Sequence, residues 1–182
     1  MKYCTTLLMV LLWSMSLLHA EETQSPAVNN LLGKEVSAKA GWKAFIHPTY
    51  KQADASVAFK DNNIIIQTVN ASKLEEPLSY GQQVYNSMEL EAGKTYQFSF
   101  STKSDVEGKI YVKYILAKAP YSNYASVPVT LKTDKIQKHV IKFTPKPVKD
   151  VYDTPRSLRF FTGSLSNGQI TISDLVLTEV TE

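Results

Sequence analysis

The sequence predicts an all-β protein, a sandwich or a barrel, and three observations carry that expectation. Turn signals recur at short, regular intervals along the chain. Between them lie short runs rich in Val, Ile, Tyr, Phe and Thr. No stretch with helical apolar periodicity interrupts the pattern, and no repeat of fixed length points to a propeller or solenoid.

The chain has 182 residues, and the first twenty stand apart from the rest. Lys2 precedes an almost wholly apolar run from Leu7 to Leu18, small Ala20 follows, and acidic Glu21-Glu22 comes next. That order reads as a secretory signal over 1–20, since about a dozen apolar residues are too few to span a bilayer comfortably. An uncleaved N-terminal anchor is the alternative reading. Residues 21–30 read as a leader, and 31–182 as one β-sandwich domain. Cys4 is the only cysteine, and it lies ahead of the apolar run, where it is badly placed for lipid attachment at a cleavage site. Its removal with the signal leaves no disulfide, thiol nucleophile or thiolate metal site. A secreted chain without disulfides suits a bacterial periplasm or exterior. The formal charge of +3, with no basic run, excludes a nucleic-acid footprint. Lys135, Lys138, Lys142, Lys146 and Lys149 are spread out and diluted by Asp134, Asp150 and Asp153, as on a solvated face.

Turn residues at Gly41, 61–63, 91–94, 107–108, 132–134, 145–147 and 166–168 bound the strands. The runs between them predict strands at 56–59, 64–69, 95–101, 109–116, 126–131, 138–143, 157–161 and 169–177. The strand at 95–101 is the clearest. Tyr96, Phe98 and Phe100 share one side, Gln97, Ser99 and Ser101 the other, so one face meets a core and one meets water. By the same alternation Ile110, Val112 and Tyr114 face a core, with Leu158, Phe160, Ile141 and Phe143. Opposite them stand Tyr111, Lys113 and Ile115, then Arg159 and Phe161, then Val140 and Lys142. Aromatic rings and cations thus share an outer face. Rings on a solvated face cost free energy unless something covers them, which here means another sheet, a loop or a ligand.

Several pieces, in order, resemble a known family. They are Gly41-Trp42 after a short N-terminal strand, "NIIIQTV" at 63–69, "YGQQVY" at 80–85, "LEAGKTY" at 90–96, "SLRFFTG" at 157–163 and "QITISDLVLTEV" at 169–180. Together the chain resembles the jelly-roll carbohydrate-binding modules of the galactose-binding-like type, the kind appended to bacterial cellulases and xylanases. The resemblance implies an antiparallel β-sandwich with a ligand groove on one sheet. It also implies that the segment before "LEAGKTY" is a strand facing that groove, which singles out Tyr80, Gln82 and Gln83. A pyranose offers hydroxyls around an apolar patch of C–H groups. Aromatic faces cover the patch, and amides and guanidinium forks bind the hydroxyls. The alternative is that Gln82 and Gln83 alternate in and out of an exposed edge strand.

Other candidates come from the residues themselves. Tyr121 and Tyr124 in "APYSNYASVP" sit three apart in a Pro-bounded loop, poor core material and well placed for binding. Arg159 and Phe161 share the presumed groove face with Tyr111 and Lys113, although a salt bridge on the sheet would also account for Arg159. Trp42 reads as a core anchor or a stacking platform, and Tyr50 as solvent-facing or part of a rim.

Catalysis has little support. His47 and His139 are the histidines after the signal, and no nucleophile elbow, zinc-binding helix or phosphate loop is present. Glu75-Glu76 and Asp150/Asp153 are paired carboxylates on surface segments, a poor place to hold the fixed separation that glycoside hydrolysis needs. No cofactor is expected. The resemblance implies a structural calcium near the last strand, but Ser173 stands where the first acid would be, leaving Asp174 and Glu35 as possible ligands. The expected function is non-catalytic binding of a polysaccharide or oligosaccharide by a secreted or periplasmic protein, with no nucleic-acid partner and no membrane span after signal cleavage. The alternative is a structural or adhesin-like domain of the same fold with an envelope protein partner.

Overall fold

The structure, a computed structural model, describes residues 29–74, 78–147 and 155–181. The signal, most of the leader, Glu75-Glu76 and Asp150/Asp153 lie outside the described residues. Among the described residues, ten strands form two five-stranded antiparallel sheets. The first contains, in spatial order, β1 (Trp42–Ile46), β4 (Gln82–Ser87), β9 (Arg156–Phe161), β6 (Gly108–Leu116) and β7 (Asn123–Leu131). The second contains β2 (Ser56–Lys60), β3 (Asn63–Thr68), β10 (Gly168–Glu179), β5 (Tyr96–Ser104) and β8 (Ile136–Phe143). The antiparallel β-sandwich read from the sequence is the observed fold.

Alternation builds the core between the sheets. Phe98 and Phe100 of β5 meet Phe160 of β9, whose ring lies 5.7 Å from Phe98 and 5.2 Å from Phe100, and Tyr96 lies 6.1 Å from Phe143 of β8. Ile110, Val112 and Tyr114 of β6 join them, with Leu158 and Ile170. Trp42 is buried in this cluster, so it anchors the core and is no platform. Burying side chains of this size contributes about 1.5–3 kcal/mol each, which makes the pattern decisive for the fold. Asn30 docks the N-terminal segment on β10: its amide donates to Leu175 O at 3.0 Å, and its oxygen accepts from Leu177 N at 3.0 Å.

The structure differs from the sequence reading at several points. Gly41-Trp42 does not follow a strand: Trp42 begins β1, and turns precede it. A short helix, α1 (Pro48–Lys51), stands where a polar loop was expected, with Pro48 suited to a first helical turn. Its Tyr50 is neither solvent-facing nor on a rim. It is wholly buried, donating its hydroxyl to Leu78 O at 3.0 Å and to Gly163 O. Burial raises its pKa above the ordinary tyrosine value. Gly81 is required there, since an added Cβ would lie 2.0 Å from the Tyr50 ring. Ser101, expected in water, is buried, because a small side chain between β8 and β10 is covered by its neighbours.

Candidate functional site

The outer face of the first sheet is a grid fixed by strand register. One row runs Phe45, Gln83, Phe161, Tyr111 and Pro128 across β1, β4, β9, β6 and β7. The next row runs Lys43, Tyr85, Arg159, Lys113 and Ser126. A third brings Ser87, Ser157, Ile115 and Asn123 together. Because side chains alternate along each strand, these residues project away from the core. Two loops wall the face: the turn before β4 supplies Tyr80, and the β6–β7 connection supplies Ala117 and Tyr121. The result is a groove of about 600 Å³ lined by these aromatic, amide and cationic side chains.

The aromatics are its most telling feature. Phe45, Tyr80 and Tyr121 are 40%, 46% and 57% exposed, and all three line this one groove. Phe45 and Tyr80 stand edge-on to His47, with centroids 6.4 Å and 6.0 Å away, so the rim is a cluster of rings. Tyr121 also holds a left-handed backbone, φ +56°, at a cost of about 1–2 kcal/mol for a residue with a Cβ. Its amide donates to Lys118 O at 2.8 Å, so the turn fixes that conformation and presents the ring.

Polar groups occupy the floor. Arg159 is only 7% exposed. Its Nε donates to Ser157 Oγ at 2.7 Å, one Nη to Gln83 Oε1 at 2.9 Å, and the other to Ala117 O at a longer 3.4 Å. Its Cζ lies 4.5 Å from the centroid of the Tyr85 ring, a cation–π contact. Burial lowers the guanidinium pKa, while Tyr85 and Tyr121 pull it upward. Gln83 is held twice, accepting from Arg159 and donating from Nε2 to Tyr80 O at 2.7 Å. One amide therefore ties the floor to the rim loop.

The structure brings Tyr80, Gln83, Tyr121, Arg159 and Phe161 together in the groove. Tyr111 lies on the same face, paired with Phe161, but beyond the groove lining. Two candidates are corrected. Gln82 points the other way and is 1% exposed, because it adjoins Gln83 in a strand and successive side chains take opposite faces. Its Nε2 donates to Ser56 O at 3.0 Å and Gln67 O at 3.1 Å, and its Oε1 accepts from Thr68 Oγ1 at 3.2 Å. Gln82 thus binds the two sheets to each other. Nor is the segment an edge, for β4 lies between β1 and β9. Tyr124 belongs to β7 and turns into the core, its ring 6.0 Å from that of Tyr114. Arg159 takes part in none of the ion pairs seen among the described residues.

Phe45, Tyr85, Lys113, Ile115, Ala117 and Asn123 complete the lining without having been singled out as binding residues. Tyr85 had a signal: it lies two residues after Gln83. Phe45 had none as clear, since β1 is a short outer strand with only its ends turned inward.

A second cleft, near the β10 bulge, gathers Glu35, Asp61, Ser173 and Asp174. Asp174 has a positive φ of +54° and accepts from Ser173 Oγ at 3.1 Å. Among the described residues, no group of three or more His, Cys, Asp or Glu is placed to hold a metal ion. No helix among them is long and apolar enough to cross a membrane.

Two stacked antiparallel sheets make this a β-sandwich of the jelly-roll type, with an aromatic-lined groove on one outer face. Comparison with solved structures agrees on the fold. A CBM4 carbohydrate-binding module matches with TM-score 0.61 at 24% identity, over 76% of this chain and 86% of that one. The second N-terminal cellulose-binding domain of Cellulomonas fimi β-1,4-glucanase C matches with TM-score 0.61 at 15% identity, over 86% of this chain and 97% of that one. The N-terminal cellulose-binding domain of the same glucanase matches with TM-score 0.56 at 17% identity, over 79% and 91%. No family model matches the chain, and no curated protein matches it.

Proposed function

We propose that this chain is a non-catalytic carbohydrate-binding protein, secreted or periplasmic, that receives a poly- or oligosaccharide in the groove of its first sheet. One observation carries the reading. The exposed aromatic rings Phe45, Tyr80 and Tyr121 converge on the groove whose floor presents Gln83, Arg159 and Asn123. Rings left in water are costly, and a pyranose resolves that cost: its C–H face covers a ring while its hydroxyls meet amide and guanidinium donors. The fold it shares with carbohydrate-binding modules is consistent with this use, although a fold by itself hosts many functions.

The test is affinity electrophoresis in soluble polysaccharides, with the wild type beside Tyr80→Ala/Tyr121→Ala. Both side chains are largely exposed, so the variant should melt with the wild type. It should lose retardation by any polymer that slows the wild type. Mobility unchanged by every polymer would defeat the proposal and favour an interaction or structural role for the same sandwich.

A further inference from the structure

Resting on the carbohydrate reading above, we infer that the groove selects an acidic glycan, one presenting a uronate carboxylate to Arg159 and Lys113. These are the charged side chains in the groove lining, and both are cations. Strand register places them directly opposite each other on β9 and β6. Like charges in a cross-strand pair destabilise a sheet, so an arrangement of this kind calls for a counter-anion. Lys43 stands in the same row, beyond Tyr85.

The donors fit that anion. A guanidinium carries five N–H donors. Arg159 directs three of its bonds to neutral acceptors, Ser157 Oγ, Gln83 Oε1 and Ala117 O, which leaves one N–H on each terminal nitrogen. A pair of terminal N–H groups suits the two oxygens of a planar carboxylate. Lys113 does not extend into solvent. Its Nζ rests 4.5 Å from the Phe161 ring centroid and 5.5 Å from that of Tyr111, beside the floor. Neither cation joins an ion pair among the described residues. A neutral sugar could use the same donors, but would leave the facing charges uncompensated.

The experiment compares polymers that differ only in charge: polygalacturonate, alginate and glucuronoxylan, each against its esterified or carboxyl-reduced form, with dextran sulfate as a further arm. Dissociation constants are taken from the retardation of wild type and Lys113→Gln, whose melting temperatures are matched first. The expected result is that at least one uronate polymer binds about tenfold tighter than its neutral counterpart, the size of one charge-assisted contact. Lys113→Gln should remove several-fold of that preference, weakening the uronate form's binding more than the neutral form's. Equal affinity for acid and neutral forms overturns the inference while the carbohydrate reading stands. A preference that survives Lys113→Gln undiminished also overturns it, because the charge would then be read elsewhere. Dextran sulfate bound as tightly as the uronates shows general anion exchange and overturns the carboxylate. No retardation by any polymer, charged or neutral, removes both readings together.

Discussion

The two outer faces of this sandwich are built from the same element, a five-stranded antiparallel sheet, and carry opposite kinds of surface. On the second sheet, the outward positions of β5 are Gln97, Ser99, Ser101 and Lys103, with Ser101 covered by its neighbours, and β8 pairs them with Lys142, Val140, Lys138 and Ile136. Thr171, Ser173, Val176 and Thr178 of β10 lie alongside. On the first sheet, the equivalent positions hold Phe45, Tyr85, Phe161, Arg159 and Gln83. Both faces expose apolar groups. The second scatters three aliphatic side chains, Ile136, Val140 and Val176, among lysines and small hydroxyls, as ordinary surfaces do. The first concentrates rings around a walled depression and adds hydrogen-bonding groups at its base. The contrast shows that exposed apolar area signals a site only when it converges with directed polar groups.

The largest test of that contrast lies within one dipeptide. Gln82 and Gln83 are chemically identical neighbours, one holding the sheets together and one forming the groove floor. Gln82→Ala would strand Ser56 O, Gln67 O and the Thr68 hydroxyl between the layers, and should cost about 2–4 kcal/mol of stability in a denaturant melt. Glycan retention by the folded fraction should be unaltered. A Gln82→Ala protein that melts like the wild type but no longer binds would mean the assignments are reversed.

Gln83→Ala should show the complementary behaviour with a smaller effect. It removes the acceptor of Arg159 and the donor to Tyr80 O, so floor and rim lose their common tether. Binding should weaken about tenfold, worth about 1.4 kcal/mol, with a minor change in melting temperature. Titration of both variants against one retarding polymer is the measurement.

These two residues also show how far the sequence was legible. Alternation in 95–101, 109–116 and 157–161 located the core correctly, because long aromatic and β-branched runs between turns permit only one register. Arg159, Phe161 and Lys113 were placed on one outer face by the same rule. At 80–85 the family resemblance points to both Gln82 and Gln83, but in a strand only one of two neighbours can face the groove. Tyr124 misled for a different reason. Its apparent loop runs into the start of β7, whose second residue is Tyr124, and spacing along the chain does not reveal where a connection ends and a ladder begins. Tyr50 was out of reach as well, since its burial depends on Gly81 and Gly163, which approach it from distant parts of the chain.

A pH series probes the layer beneath the polar face. His139 of β8 points inward, its ring 5.0 Å from Phe100 and its Nε2 2.7 Å from Thr102 Oγ1. Burial lowers its pKa, so the folded state holds a proton less firmly than the unfolded chain does. The contribution is therefore fully present above the ordinary histidine value of about 6.5 and is lost as pH falls below it toward the depressed folded value. Melting temperature should drop between pH 7.5 and pH 5 (roughly spanning that value), and His139→Gln should flatten the drop. Acid that instead abolished retention while the protein stayed folded would locate the sensitive group on the groove side.

The smallest expected effect is the sharpest check on the comparison itself. Val140 is 62% exposed and Ile136 71%, the most exposed large apolar side chains among the described residues, yet they lie on the face without rings or a depression. If exposure alone marked a binding surface, they would be better candidates than Phe45 or Tyr80. Convergence argues otherwise, because a sugar needs a ring to cover its C–H patch beside donors for its hydroxyls, and Val140 sits between Lys138 and Lys142 with donors but no ring. Ile136→Ser/Val140→Ser should therefore shift stability by no more than about 0.5 kcal/mol for each site and leave retardation by every polymer unchanged. Loss of binding in this variant, with the groove intact, would move the recognition surface to the opposite sheet.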